Sequence, residues 1–221
     1  MLVGKPAAHL SDVAMGGIGA VVFDIGNVLI EWQPERFYDD VVGRAARIAM
    51  FDAVDLHGMN DRVDRGEDFA AVVREVAADN PDHAAAIMLW HDRWIEMAAP
   101  VIDRSVRLLR ALRRRGVPCF ALSNFGIRTF EIAEREYPFL EEFDRRYVSG
   151  HMGVTKPDPA IYAMVEADCG IAPGALLFAD DRQENIDAAV ARGWRGHLFD
   201  GCDGFAARLV AEGLLEEGDA G

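Results

Sequence analysis

Four stretches of this 221-residue chain carry side chains that could do chemistry. Asp24 closes the apolar run Val21-Val22-Phe23 and is followed by Ile25-Gly26-Asn27-Val28. Ser123-Asn124 closes a second run, Phe120-Ala121-Leu122, and Lys156 lies in Gly153-Val154-Thr155-Lys156-Pro157. Asp180-Asp181 closes a third run, Leu177-Phe178-Ala179. Taken singly, each has an ordinary structural reading. Asp24 can cap a turn, Ser123-Asn124 can do the same, Lys156-Pro157 suits a surface loop, and an acidic pair favours the start of a helix. Taken together they offer a carboxylate, a hydroxyl, an ammonium and two more carboxylates. The chain has 37 Asp and Glu against 23 Lys and Arg, a formal charge of −14. An anionic substrate would therefore need a local device to hold it, such as a metal or a lysine.

The elements that must position these groups alternate. Short apolar runs bounded by turn signals read as buried strands: one from Val21, then Val117 to Ser123, Arg146 to Ser149, Ala175 to Ala179, and His197 to Phe199. Between them lie helical stretches. Asp103 caps one that points Leu108, Leu109 and Leu112 inward and ends at Gly116. Another runs from Phe125 to Tyr137 with Phe130 and Ala133 inward. Asp158-Pro159 opens a third, Gln183 to Arg192 forms a fourth stopped by Gly193, and Phe205 to Leu215 a last. Such alternation predicts an α/β fold: a Rossmann-like parallel sheet with helices on both faces. In a parallel sheet the strand ends bearing Asp24, Ser123, Asp180 and Asp181 gather on one edge, where open α/β sheets place their ligands.

The first strand is separated from the others by a block with no convincing strand. Pro34 opens a helix to about Met50, Asp55 to Gly66 is polar and rich in turn residues, and Glu67 to Ala78 is helical. Asn80-Pro81 then starts a helix carrying Ile87, Trp90, His91 and Trp94. The expected organisation is a core of residues 1–31 plus 101–221 with a helical-bundle cap of residues 32–100 inserted after its first strand. Trp90 and Trp94 read as core of that insertion and His57 as a loop histidine. Met1 to Met15 reads as a loose arm.

Composition excludes several classes. The chain is 51% hydrophobic and 27% charged, as a soluble globular protein is. No apolar run approaches the ~20 residues of a membrane helix, and no secretory leader is evident. The acidic balance excludes nucleic acid and anionic membrane as partners. Cys119, Cys169 and Cys202 are odd in number and widely spaced, which points to reduced thiols in the cytoplasm rather than a disulfide framework or zinc site. The sequence carries no signature of oligomeric state.

Asp24-Ile25-Gly26-Asn27-Val28, Ser123-Asn124, Lys156-Pro157 and Asp180-Asp181 with Asn185, in that order and at those separations, resemble the four motifs of the haloacid dehalogenase-like hydrolase superfamily. The resemblance covers about residues 18–200, and the inserted block is similar to that superfamily's small cap after motif one. It implies Asp24 as a nucleophile that forms an aspartyl-phosphate, splitting one difficult hydrolysis into two steps. It implies Mg²⁺ held by Asp24, Asp181 and the Gly26 carbonyl, with Asp180 a direct or supporting ligand and Asn185 behind it. Ser123 and the Asn124 backbone would donate to phosphoryl oxygens, and Lys156 would neutralise charge on Asp24 and the phosphoryl group.

One position departs from the pattern. Most phosphatases of the superfamily carry a second Asp two residues after the nucleophile as general acid and base; here that position is Gly26. The dehalogenase branch also lacks it, but needs no metal and has no matching acidic pair. A branch of bacterial sugar-phosphate phosphatases is similar in its Asp-x-Gly-Asn-Val motif. The resemblance therefore implies a Mg²⁺-dependent hydrolase of a small phosphorylated metabolite, such as a sugar phosphate. A metal-independent 2-haloacid dehalogenase and a catalytically weak binding or regulatory protein are the alternatives. With no acid at Gly26, leaving groups that need little protonation are expected to be favoured, sugar-1-phosphates over sugar-6-phosphates, unless Glu31 or a metal-ordered water replaces the acid.

Overall fold

The computed structural model describes residues 17–219; the expected arm, Met1 to Met15, lies outside them. The chain begins with β1 (Ala20–Phe23), turns sharply, and forms β2 (Ile30–Trp32). Six helices follow: α1 (Pro34–Val41), α2 (Arg44–Ala53), α3 (Leu56–Asp64), α4 (Phe69–Asp79), α5 (Ala84–Asp92) and the short α6 (Trp94–Met97). Next come β3 (Ala98–Val101), α7 (Asp103–Arg114), β4 (Cys119–Ser123), α8 (Ile127–Glu136), β5 (Arg145–Val148) and the single turn α9 (Ser149–Met152). The chain closes with α10 (Pro159–Cys169), β6 (Leu176–Asp180), α11 (Gln183–Ala191), β7 (Arg195–Leu198) and α12 (Cys202–Ala211).

Five strands form one parallel sheet in the order β5-β4-β1-β6-β7. All four residues of β1 are fully buried. Their side chains alternate: Ala20 and Val22 join one apolar cluster with Phe120, Leu122, Phe178 and helices α10 and α11. Val21 and Phe23 join the other, with Cys119, Ala121, Leu177 and helices α7, α8 and α12. That period of two, apolar on both faces, is what a parallel strand under two helical layers requires. Because β4 and β6 flank β1, the chain crosses to opposite sides of its first strand. The C-terminal end of β1 is thus a topological switch point, the usual ligand position in such sheets.

The inserted block differs from expectation in four places. The helix expected from Pro34 to about Met50 is two helices, broken at Gly43, whose φ of 87° is a left-handed conformation that glycine adopts without strain. The stretch from Asp55 to Gly66 is not a turn region but α3, capped by the Asp55 carboxylate accepting from the Gly58 amide at 2.8 Å. Asn80 does not start a helix; its side-chain amide donates to the Val76 carbonyl at 2.8 Å, and it ends α4. And residues 32–100 are not wholly helical: β2 and β3 pair antiparallel where the chain leaves and re-enters the sheet domain. Strands of three and four residues, one containing Pro100, are too short to show a period in sequence. Elsewhere the differences are shifts of boundary. Asp103 is the first residue of α7 and makes no side-chain cap bond, the last strand lies at Arg195–Leu198, and the last helix starts at Cys202.

Candidate active site

Asp24 is the residue after β1, and its amide donates to the Ala179 carbonyl of β6 at 2.8 Å, so its position is set by the sheet itself. The loop beyond it is wound around one acceptor: the Ile25 carbonyl takes the amides of Val28, Leu29 and Ile30. Asn27 sits there with a φ of 55°, a conformation that Asn tolerates better than most residues. Its side chain ties the loop in both directions. Oδ1 accepts from the Trp32 amide at 2.9 Å, and Nδ2 donates to Asp181 Oδ2 at 3.0 Å. In the sequence only its place in the motif marks Asn27.

Asp24 Oδ1 accepts three hydrogen bonds: from the Ile25 amide at 2.7 Å, Ser123 Oγ at 2.6 Å and Lys156 Nζ at 2.9 Å. No described residue donates to Oδ2, so the second oxygen is the one left for chemistry. Lys156 is 4% exposed and all three of its donors are engaged, by Asp24, by Asp180 Oδ2 at 2.6 Å and by the Leu122 carbonyl at 3.0 Å. Asn124 holds the Lys156 loop through its side chain: Nδ2 donates to the Lys156 backbone carbonyl at 3.0 Å while Oδ1 accepts from the Lys156 backbone amide at 2.8 Å. Asp180 is fully buried, and its carboxylate accepts from Lys156, the Arg182 amide and Asn185. Asp181 is half-buried and faces the open space above the sheet edge.

All the residues singled out from the sequence therefore meet. Carboxylate oxygens of Asp24, Asp180 and Asp181 lie within 4.8 Å of one another. Burial pushes the Asp24 carboxyl up to about 7, against the opposing pull of Lys156, and the Asp180 charge adds to the rise. Burial raises Asp181 as well, with Asn27 opposing. Burial would lower Lys156, but Asp24 and Asp180 outweigh it and hold the ammonium above its usual value. Carboxylates that crowd together and titrate high are short of positive charge. An all-oxygen donor set suits a hard cation such as Mg²⁺. Asn185 gives an independent sign: it is 2% exposed, lines the cavity, and its Oδ1 has no hydrogen-bond partner. A water held by a cation is the kind of donor that atom lacks. The Gly26 carbonyl accepts no hydrogen bond from a described residue, and Gly26 lines the same space.

The cavity has a volume of about 460 Å³, the size of a small-molecule site. Its floor is the sheet edge. Its roof comes from the inserted block, chiefly α3, which turns His57, Asn60, Asp61 and Asp64 toward it. These four follow a spacing of three and four residues and so share one helix face. Trp94 closes one side, and Trp90 is fully buried behind, both as expected of core residues. His57 is not a loop histidine; it lies on α3 with its Nε2 3.6 Å from Glu35.

Residues 18–193 match the family model for haloacid dehalogenase-like hydrolases. A drimenol cyclase of Aspergillus calidoustus is 24% identical over 187 residues, covering 82% of this chain but 34% of that protein, so the chain spans about a third of its length. A D-ribitol-5-phosphate phosphatase of Bacteroides thetaiotaomicron is 23% identical over 174 residues, 75% of this chain and 84% of that one. Among solved structures, a HAD family enzyme from the same bacterium, in complex with magnesium and inorganic phosphate, superposes with a TM-score of 0.64 at 23% identity, covering 82% and 93% of the two chains. The L-2-haloacid dehalogenase of Xanthobacter autotrophicus, with chloropropionic acid covalently bound, gives a TM-score of 0.58 at 20% identity, covering 90% and 85%. At these identities the two structures share the fold with this chain. Among the described residues no helix is long and apolar enough to cross a membrane.

Proposed function

The chain belongs to the haloacid dehalogenase-like hydrolases, and from that premise we propose that it is a Mg²⁺-dependent phosphomonoester hydrolase working through an aspartyl-phosphate on Asp24. The observation that carries this reading is the meeting of the Asp24, Asp180 and Asp181 carboxylates within 4.8 Å, short of positive charge although Lys156 is already among them. Asp24, Asp181 and the Gly26 carbonyl would hold the ion. When bound, Mg²⁺ supplies the positive charge that lets a phosphoryl dianion approach a carboxylate. Asp180, its oxygens already engaged, supports Lys156 and Asn185 rather than binding the ion directly.

The rest follows from the chain's own groups. Ser123 and Lys156 fix Asp24 through Oδ1, which orients Oδ2 as the attacking oxygen. Attack forms the Oδ2–P bond and breaks the bond from phosphorus to the leaving oxygen. Lys156 compensates charge as it builds in the transition state. Water then attacks phosphorus, and Asp24 leaves as a carboxylate with inorganic phosphate released. Asn124 contributes by holding the Lys156 loop, and its backbone is also available as a donor to phosphoryl oxygens.

The substrate is a small phosphorylated metabolite. A cavity of about 460 Å³ suits one, and a relative named as a D-ribitol-5-phosphate phosphatase and a neighbour solved with magnesium and phosphate support the class. The division into a core of residues 1–31 plus 101–221 and a cap of residues 32–100 goes with this reading, the β2/β3 ribbon forming the joint. The three free cysteines match a reducing, cytoplasmic setting. The competing reading, a dehalogenase in which Asp24 attacks the halogen-bearing carbon of a 2-haloacid and displaces halide, leaves the acidic pair without a purpose. A panel of phosphate monoesters and 2-haloacids, assayed with Mg²⁺ and with excess EDTA, separates the two. Phosphatase turnover that EDTA abolishes supports this reading; haloacid turnover untouched by EDTA overturns it.

A further inference from the structure

We propose that Asp64, on the roof of the cavity, is the proton donor and acceptor of the reaction, in the role for which Gly26 offers no side chain. This rests on the phosphatase reading above. Asp64 lies in the last turn of α3, is 9% exposed and lines the cavity. Its orientation is built, not incidental. The Trp90 indole N–H can only donate, and it meets Asn60 Oδ1 at 3.3 Å. That fixes which way the Asn60 amide points, so its Nδ2 donates to Asp64 Oδ2 at 2.9 Å. One carboxyl oxygen is thereby held by Asn60.

The backbone of Asp64 is also tied to the sheet domain. Ser149 Oγ donates to the Asp64 carbonyl at 2.6 Å. Two glycine contacts let α3 seat this closely: a Cβ on Gly66 would lie 2.6 Å from the Gly150 carbonyl oxygen, and one on Gly126 would lie 2.5 Å from Val63 Cγ1. Asp64 is thus held in a fixed place on the wall of the cavity that Asp24 also lines, as a group that transfers a proton must be.

Its surroundings favour the neutral acid. The charged groups that act on it are Asp61 from its own helix, Asp24 from the end of β1 and Lys156 from the loop after α9, with the Gly126 amide easing its charge. Burial first, then Asp61, pushes its carboxyl up to about 7. The other carboxyls of the cavity are committed elsewhere or open to water. Glu31 pairs with Arg36 at 3.2 Å, Glu35 lies 3.6 Å from His57, and Asp61 is exposed. In the first step the Asp24 Oδ2–P bond forms, the bond from phosphorus to the leaving oxygen breaks, and that oxygen takes the Asp64 proton. In the second, the Asp64 carboxylate takes a proton from the attacking water while Asp24 is released as a carboxylate, which restores the starting state.

The test compares an alkyl phosphate with p-nitrophenyl phosphate, whose leaving group needs no proton, on wild type and Asp64→Asn with Mg²⁺ present. General acid catalysis is worth ~10²–10⁴-fold. Asp64→Asn should lose about that much kcat on the alkyl ester and far less on the aryl ester. The limb of its pH profile that reports the acid should disappear. Equal losses on both esters, or none on either, overturn the proposal and leave Asp64 a packing residue. If Asp64→Asn does not fold, the wild-type leaving-group series decides. A shallow dependence with a solvent deuterium isotope effect on alkyl turnover supports the proposal, and a steep dependence without one overturns it. A wild type that hydrolyses neither ester fails the phosphatase reading itself, which is a different result from either.

Discussion

The floor and the roof of the cavity handle charge differently. On the floor, Asp24, Ser123, Lys156 and Asp180 come from separate stretches of the chain, are at most 6% exposed, and bond directly to one another. On the roof, His57, Asn60, Asp61 and Asp64 come from one helix, and only Asp64 is deeply buried. The floor is a single electrostatic unit in which each member compensates another, so removing one leaves a buried charge exposed to repulsion. The roof is a row of side chains that act more independently. Floor variants should therefore cost both turnover and stability, whereas roof variants should alter substrate dependence with little effect on folding.

The largest expected effect is at Asp24 and Lys156. Asp24→Asn keeps the size of the side chain and removes the nucleophile, so turnover should fall to background while the fold survives. Lys156→Ala should cost ~10²–10³ in kcat. It should also cost about 3–5 kcal/mol of stability, because Asp180 is left buried without its cation. Steady-state kinetics and denaturant unfolding of both variants check this. An Asp24→Asn protein with near wild-type turnover would dissolve the distinction between floor and roof.

Metal and pH probe the floor next. Asp24 and Asp181 are raised above the ordinary 3.8, Asp24 to about 7, so the metal-free folded protein keeps protons that the unfolded chain has released. The stability this contributes is complete below about pH 4 and is lost as pH rises through about 7. Mg²⁺ needs the deprotonated carboxylates, so its affinity runs the other way. The Mg²⁺-induced rise in Tm should be small near about pH 5.5 and large near about pH 8, where the stabilisation reaches ~2.7 kcal/mol at free Mg²⁺ a hundred times Kd. A larger shift at the acid end would contradict the metal assignment.

These two regions were also unequally legible in the sequence. Lys156, in a loop beyond α9, is marked by its motif, whereas Asp24, Ser123, Asp180 and Asp181 follow apolar runs bounded by turn signals, and their meeting follows from parallel topology. The five strands of the sheet could be placed for the same reason. The roof could not. In α3 only Leu56, Met59 and Val63 mark the buried face, and the remaining polar positions read as a turn-rich loop. Its polar side is polar because it faces a cavity, and a cavity is a product of tertiary packing. Asn27 and Asn60 were missed for a related reason: a side-chain amide gains its role from partners distant in sequence, Asp181 in one case and Trp90 in the other.

A smaller effect links floor to roof. A Cβ at Gly26 would meet no atom within 4 Å, and the backbone there lies outside the left-handed region, so Gly26→Asp should fold. It should restore part of the alkyl-phosphate turnover lost in Asp64→Asn by supplying a proton from the floor. Kinetics of the double variant measure this, and a further loss in place of a gain would show that the two positions do not share a task. The smallest effect is expected at His57. Its contact with Glu35 is 3.6 Å and exposed, worth ~0–1 kcal/mol. His57→Ala should shift KM by less than about tenfold with kcat and Tm nearly unchanged; a large loss of kcat would move His57 into the chemistry.

The most direct test is to find the phosphoryl group on Asp24. Enzyme turning over p-nitrophenyl phosphate with Mg²⁺ is quenched in acid, reduced with borohydride and digested, and the peptide containing Asp24 is analysed by mass spectrometry. Conversion of Asp24 to homoserine, dependent on both substrate and Mg²⁺ and absent from Asp24→Asn, is the expected result. Undiminished turnover with an unmodified Asp24, or with the modification at another residue, would contradict covalent catalysis at the end of β1.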